Sequence, residues 1–465
     1  MYESFIRDIR KVAERFKVEI EGGSVLLVTH YDADGLTSAA IVARMLELME
    51  APYHIRVVEQ LDKSTLEEIL TMSYDSVFIT DLSLHEPKVL TERAAKTQLI
   101  IVLDHHETTR LVKENRVIVI SPYSYNIDGS SLASSSTMAY MFVKEVSNLN
   151  EKLSYLAVIG ALGDRQDVGK LYTLEGLNKI AVEDATRLLL LRTEIDLRLF
   201  GLRTKPLIKC LEHCIDPYIP GLTGNENACL SFLKSIGIPP TKGVELRMYS
   251  DLSLEERKRL ATELVKYLLA RGYSVKQAES IFGTVYYLLR EKENSYLYDA
   301  REFSALLNAC GRMERESTGI ALAMGFRGSV LKEALSTLQE YRKLLARALD
   351  LIREPDGHVS TIGKLVVIDL RKIVPPRVVG TIASLATPLY PRAKVVMVYS
   401  GEHNLKVSVR RTTTSIREDI HLGEIMKQAS SKVGGIGGGH PNAAGAQIPE
   451  DSIERFIRII HNIIR

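Results

Sequence analysis

SVLLVTHYDADG, residues 24–35, decides the fold. Val25 to Thr29 are apolar or β-branched throughout, which suits an extended strand buried on both faces. The chain then turns polar at once, with His30, Asp32 and Asp34, before Gly35 opens the helical pattern LTSAAIVARMLELM (36–49). The alternation continues outward through HIRVVEQ (54–60), KSTLEEIL (63–70), SVFITDL (76–82), QLIIVLDHH (98–106) and RVIVIS (116–121). Apolar strands alternating with helices predict a parallel, doubly wound α/β sheet over residues 24 to about 190. Sheets of this kind carry their chemistry in the loops beyond the carboxyl ends of the strands.

The later chain changes character twice. Residues 191–298 read as a mostly helical insert, with LRLFGLRTKPL (197–207) and the Pro-punctuated IDPYIPGLTG (215–224) followed by EERKRLATELVKYLLARG (255–272). A helical connector is expected over 299–358, from REFSALLNACGRM (301–313) to STLQEYRKLLARALDLIRE (336–354). Strands return in KLVVIDL (364–370), AKVVMVYS (393–400) and LKVSVR (405–410), so 359–465 is expected to form a second, smaller α/β domain. Residues 1–190 form the first domain in this reading.

Composition narrows the class. The 465 residues are 45% hydrophobic and 25% charged, an ordinary globular balance. No apolar run approaches the ~18 residues needed to cross a bilayer. The amphipathic start MYESFIRDIRKVAERF lacks a signal-peptide core, so a cytoplasmic protein is expected. The net charge of +2 is too small for a general polycation, and any contact with nucleic acid must come from a local groove. Cys210 and Cys214 lie at i, i+4 spacing, yet without a CxxC pair buried free thiols are the simpler expectation for the 4 cysteines.

Four strand- or helix-end clusters carry acids and imidazoles: His30, Asp32 and Asp34; Asp81 in ITDLS; Asp104, His105 and His106 in VLDHHE; and Asp164 in IGALGDRQD. Taken singly, Asp81 or Asp164 could be a helix N-cap. Together they would crowd five carboxylates and three imidazoles into one crevice, which is self-repelling unless divalent cations share it. Mixed oxygen and imidazole donors without thiolates suit manganese, magnesium or zinc. Two such ions roughly 3.5–4 Å apart are the usual apparatus for displacement at phosphorus.

HYDADG, the strand-end Asp81, DHH at 104–106 and GD at 163–164 resemble, in order, the motifs of the DHH phosphoesterases. GGIGGGH (434–440) resembles the DHH-associated C-terminal domain. LRLFGLRTKPL, IPGLTG (219–224) and REFSALLNACGRM are similar to the archaeal RecJ-like nucleases associated with the GINS replication complex. The resemblance implies that His30, Asp32 and Asp81 hold one metal ion. Asp34, Asp81, His105 and Asp164 would hold the other, with Asp81 bridging. It also implies manganese, with magnesium as substitute, Asp104 orienting a histidine from behind, and His106 touching the scissile phosphate. Three stretches depart from the family pattern without removing a ligand: SSLASSSTMAY (130–140), Arg165 beside Asp164, and Ile436 within the glycines.

The glycines of GGIGGGHPNAAG expose backbone N–H groups that can close on a phosphate. Within the resemblance, Gly437, Gly438 and Gly439 would bind substrate and His440 would donate to it in the transition state. Neighbouring Arg410 and Arg411 must point to opposite faces of a strand; the family pattern favours Arg410, on the face of Ser408. Asn308 and Arg312 match a RecJ-type motif for strand contact. Such groups grip the backbone without reading bases, so binding should be salt-dependent and indifferent to sequence.

The function these implications add up to is a metal-dependent exonuclease. It would hydrolyse single-stranded DNA, with RNA as a further candidate, to 5′-mononucleotides in the 5′→3′ sense, in DNA replication or repair. Two rivals stay open: a phosphodiesterase for short oligonucleotides or cyclic dinucleotides, and a structural subunit that binds GINS in the replicative helicase. Oligomeric state is not legible.

Overall fold

The computed structural model describes residues 2–84, 90, 99–107, 113–114, 116–214, 218–354, 357–412 and 420–465. The chain divides into two compact units, one of residues 1–311 with 315–334, the other of 312–314 with 335–465.

The first unit is built on a sheet of β1 (Val25–Thr29), β2 (Tyr53–Val57), β3 (Ser76–Thr80), β4 (Leu99–Leu103), β5 (Lys113–Glu114) and β6 (Val117–Ile120). The spatial order is β2-β1-β3-β4-β6-β5. The first five strands in this order run parallel, and the short β5 lies antiparallel on β6 at the edge. Every residue of β1, β3 and β4 is buried, which explains their unbroken apolar runs. Each fully buried Leu, Ile or Val there contributes roughly 1.5–3 kcal/mol.

The chain leaves β1 toward β2 on one side and reaches β3 on the other, so a switch point opens at the carboxyl ends of β1 and β3. Register then aligns the functional loops. Thr29 pairs with Thr80, and Thr80 with Leu103, so the residues that follow these three leave the sheet at one level. The Thr80 hydroxyl donates to Thr29 Oγ1 at 3.0 Å, and Thr29 Oγ1 donates to the Gly35 carbonyl at 2.7 Å.

Helix α1 (Tyr2–Glu19) buries Phe5, Ile9, Val12 and Phe16 at helical spacing. Helix α2 (Ala33–Leu48) is buried almost all round because helices Ser135–Val146 and Ser154–Gly163 both pack on it. Close approach depends on two glycines. A Cβ at Gly163 would sit 2.6 Å from Ala33 Cβ, and one at Gly160 would sit 2.6 Å from Asp34 Oδ1.

After helix Leu177–Arg187, strand Leu191–Leu197 pairs antiparallel with Phe282–Leu288. Between these strands lies a helical region with its own core, including Leu211, Cys229, Leu260, Leu264 and Leu268. The reading of 191–298 as mostly helical misses this ribbon, because LRTEIDL mixes polar residues into a short segment whose partner lies at the far end of the insert. The four cysteines are buried thiols outside any disulfide. Cys210 and Cys229 donate to the carbonyls of Gly201 and Leu222, and among the described residues no cysteine joins a metal-binding group. Helices Ala300–Arg312 and Glu316–Ala323 follow.

The second unit holds a six-stranded sheet in the order Val359–Ile362, Leu365–Asp369, Val395–Gly401, Asn404–Arg411, Ala443–Pro449, Ile436–Gly439. Leu365–Asp369 and Val395–Gly401 run parallel, and the other neighbours run antiparallel. Helix Ile453–Ile464 buries Ile453, Phe456, Ile460 and Ile464 against the core of this sheet. The protein is therefore α/β, with a doubly wound parallel sheet, a helical region and a smaller C-terminal α/β domain. No described helix is long and apolar enough to cross a membrane.

Candidate metal centre

The strand-end residues converge. Ligand atoms of His30, Asp32 and Asp81 lie within 4.8 Å of one another, as do those of Asp34, His105 and Asp164, and those of Asp81, His105 and His106. Asp81 links two of these groups. Its Oδ2 is 3.7 Å from His30 Nδ1, and its Oδ1 is 3.4 Å from His105 Nε2. The residue adopts φ 58°, a left-handed backbone that Asp tolerates better than most side chains and that costs on the order of 1–3 kcal/mol elsewhere.

Each acid is held differently. Asp32 is the N-cap of α2 and accepts from Gly35 N at 3.0 Å. The capping role considered for Asp81 and Asp164 thus belongs to Asp32, while Asp164 sits at the C-terminal end of helix Ser154–Gly163. Asp34 faces the start of helix Ser135–Val146, where Ser135 N and Ser136 N donate to its two oxygens at 2.7 and 3.0 Å. The serine-rich 130–140 stretch, a departure from the family pattern, supplies these donors at a helix N-terminus that favours negative charge.

The histidines are oriented from behind. His105 Nδ1 lies 2.9 Å from the Gly129 carbonyl, so Nδ1 carries a proton and Nε2 is the ring atom left facing Asp81, free to give up its own proton to a cation. A Cβ at Gly129 would meet the His105 carbonyl oxygen at 2.0 Å, which reserves that position for glycine. His106 Nδ1 donates to Asp104 Oδ1 at 2.7 Å. Asp104 is completely buried and His106 partly open.

Electrostatics reports the crowding. Burial, with the charges of Asp81 and Asp164, pushes the Asp34 carboxyl up to about 8. Burial likewise raises Asp164. Although burial opposes it, the Asp32 and Asp81 carboxylates hold His30 well above its ordinary value, and Asp164, Asp81 and Asp34 do the same for His105. Asp81 Oδ2 is buried and has no hydrogen-bond partner. An orphaned carboxylate oxygen amid mutually repelling acids, with imidazoles beside them that exchange a proton for a metal ion, fits a pair of hard or borderline divalent cations.

The other candidate residues lie apart from this cluster in the chain. Asn308, on helix Ala300–Arg312, accepts from Ala33 N at 3.1 Å through Oδ1, so it steadies the DADG turn. A Cβ at Gly311 would fall 1.6 Å from the Tyr31 carbonyl oxygen, showing how tightly that helix presses on the motif. Arg312 Nη1 is 3.4 Å from the Tyr341 hydroxyl.

In the second unit Arg410 donates to Ser384 Oγ at 2.9 Å, Ser408 Oγ at 2.8 Å and the Gly380 carbonyl at 3.1 Å. Arg411 turns away, to the Ile420 carbonyl. Gly437, Gly438 and Gly439 form an outer strand, extended by pairing with Ala443–Pro449. A Cβ at Gly438 would meet nothing within 4 Å. His440 is exposed beside this strand.

Three contributors escape the sequence reading: Gly129, the Ser135–Ser136 amides, and Gln166, which is fully buried behind Asp164. The repeated serines were visible, but nothing in their spacing signals a carboxylate partner.

Comparison with known proteins adds three domain matches: the DHH family N-terminal domain over residues 24–162, the DHH-CID domain over 199–282 and the DHHA1 domain over 363–465. An uncharacterized protein of Methanocaldococcus jannaschii is 27% identical over 468 residues, spanning 99% of this chain and 98% of that protein. CDC45 from Entamoeba histolytica superposes with a TM-score of 0.69 at 12% identity, covering 98% of each chain. RecJ from Thermus thermophilus, in complex with Mn2+, gives 0.58 at 17% identity, covering 98% of this chain and 54% of that one. At such identities these two likenesses concern the fold.

Proposed function

Since this chain is a DHH-family protein of RecJ-like fold, we propose that it is a metal-dependent exonuclease of single-stranded DNA, with RNA as a second candidate substrate. The products would be 5′-mononucleotides, released in the 5′→3′ sense. The observation that carries the reading is the shared position of Asp81 between His30–Asp32 and His105, beside Asp34 and Asp164.

His30, Asp32 and Asp81 would hold one cation; Asp34, Asp81, His105 and Asp164 would hold the other. Manganese suits the donors, and magnesium can replace it. When bound, such ions polarise the phosphoryl oxygens and ease deprotonation of water. The chain's own part is to orient and to carry charge. Asp104 keeps His106 protonated at Nδ1 and raises its proton affinity, leaving Nε2–H to donate to a phosphate oxygen. Ser408, Arg410, Gly437, Gly438, Gly439 and His440 would grip the substrate's phosphates, and Arg312 would contact the strand. Asn308 keeps its amide N–H groups for that contact while Oδ1 steadies Ala33.

The test is digestion of end-labelled single strands with and without manganese. Metal-dependent release of mononucleotides from the 5′ end supports the reading, and loss of that activity in Asp81→Ala assigns it to this centre. Turnover of a 2-mer far above that of a 30-mer would instead favour a short-oligonucleotide phosphodiesterase.

The CDC45 likeness over nearly the full length of both chains supports a second, compatible role as a GINS-binding subunit of a replicative helicase. Co-purification of the wild-type chain and Asp81→Ala with GINS would separate this role from hydrolysis.

A further inference from the structure

Gln166 is completely buried and touches the cluster without offering it a ligand. Its Nε2 donates to Asp164 Oδ2 at 2.8 Å and to the Gly129 carbonyl at 2.8 Å, and it lies 3.3 Å from His105 Nδ1. Its Oε1 accepts from Asn178 Nδ2 at 2.7 Å. With two acceptors on one side and a donor on the other, the amide has a single satisfactory orientation.

The network continues past Asn178. Asn178 Oδ1 accepts from Ser134 N at 2.9 Å and from the Thr137 hydroxyl at 2.7 Å. Ser134 is the N-cap of helix Ser135–Val146, whose first amides hold Asp34. An unbroken polar chain therefore joins Asp164 and the carbonyl that orients His105 to the helix start that fixes Asp34. These are the three residues of one cluster. His30 and Asp32 have no contact in this chain of bonds.

From this arrangement we propose that Gln166 is a positioning residue for the Asp34–His105–Asp164 cation position, acting directly on Asp164 and through Asn178 on the helix start that holds Asp34. The inference rests on the two-cation reading above. Two features of the residue suit the task. It is neutral, so it holds a carboxylate by donation without cancelling the negative charge a cation needs. It also engages one oxygen of Asp164 and keeps that side chain from rotating away. The alternative is that Gln166 only fills space and satisfies buried polar groups.

Mn2+ titration of the full-length chain by calorimetry distinguishes the two, with Gln166→Met as the main variant. Methionine has nearly the same length and volume but donates nothing. The expected result is two binding events in the wild type and, in Gln166→Met, one event weakened ~10–100-fold with the other within about 2-fold, the usual range for lost ligand support. Electron paramagnetic resonance gives a second readout. At two equivalents of Mn2+ the wild type should show a spin-coupled pair, and Gln166→Met the six-line signal of isolated ions. Wild-type titration and spectrum in Gln166→Met overturn the proposal.

Should Gln166→Met fail to fold, Asn178→Asp decides by the same criterion. It keeps both contacts to Ser134 and Thr137 but reverses the hydrogen-bond demand on Gln166. If the wild type itself binds no Mn2+, the two-cation reading fails and the role of Gln166 falls with it. If the wild type binds two ions and both variants do so unchanged, only the role of Gln166 is refuted.

Discussion

Asp104 grips the imidazole of His106 at 2.7 Å from a completely buried position, and that pairing sets the proton affinity of the ring. Burial opposes protonation of His106, but Asp104 outweighs it and raises the imidazole above its ordinary value. A donor whose affinity for protons is raised keeps its charge to higher pH than an ordinary imidazole and loses it only as pH rises through the raised value. Activity that depends on it should therefore fall on the alkaline side. In Asp104→Asn the fall should begin at lower pH, with kcat at neutral pH reduced about 10–100-fold. A pH–rate profile of both proteins checks this, alongside a Mn2+ titration that should still count two ions.

Gly160→Ala should disturb the centre without altering any candidate ligand. The added methyl would fall 2.1 Å from Ser136 Oγ, 2.4 Å from Thr37 Oγ1 and 2.6 Å from Asp34 Oδ1. The two hydroxyls can rotate, but Asp34 is pinned by two amides and must shift. Overpacking of this kind costs typically 1–3 kcal/mol. Thermal unfolding should report that loss, and Mn2+ affinity should drop with it.

Removing divalent ions should destabilise the first unit. Without cations, Asp34, Asp81 and Asp164 face one another with burial and mutual charge against them. Adding Mn2+ at 100 times its Kd should raise stability by about 2.7 kcal/mol per site. A melting temperature that is the same in chelator and in excess Mn2+ would contradict the prediction.

Glu302 offers a pH test away from the centre. Burial, with neighbouring Asp299, pushes its carboxyl up to about 8 while Gly201 N donates to it at 2.8 Å. The folded state then binds a proton more tightly than the unfolded chain. Stability is full below the ordinary glutamate value near ~4.5 and declines as pH rises toward about 8. Glu302→Gln should flatten that decline between pH 5 and 8.5 in urea unfolding.

Much of the first unit was legible because the governing pattern is local. The buried strands β1, β3, β4 and β6 are apolar runs, and a parallel sheet aligns whatever follows each strand. His30, Asp81 and Asp104 could be placed together from that rule alone. Asp34 and Asp164 could be placed near them, but not their supports. Asn178 meets Gln166 and Ser134 through three-dimensional packing that leaves no period in the sequence. The pairing of the glycines at 437–439 was illegible for a related reason. Glycine has little preference for extended structure by itself, and only the partner strand Ala443–Pro449 makes it a strand.

The ribbon at the base of the insert has a consequence for how this protein can change over time. Leu197 stands opposite Phe282, so the chain enters and leaves the helical region at adjacent points. Because that region packs around its own apolar interior, lineages can enlarge, trim or exchange it as a cassette while the two-stranded stem keeps the same footing.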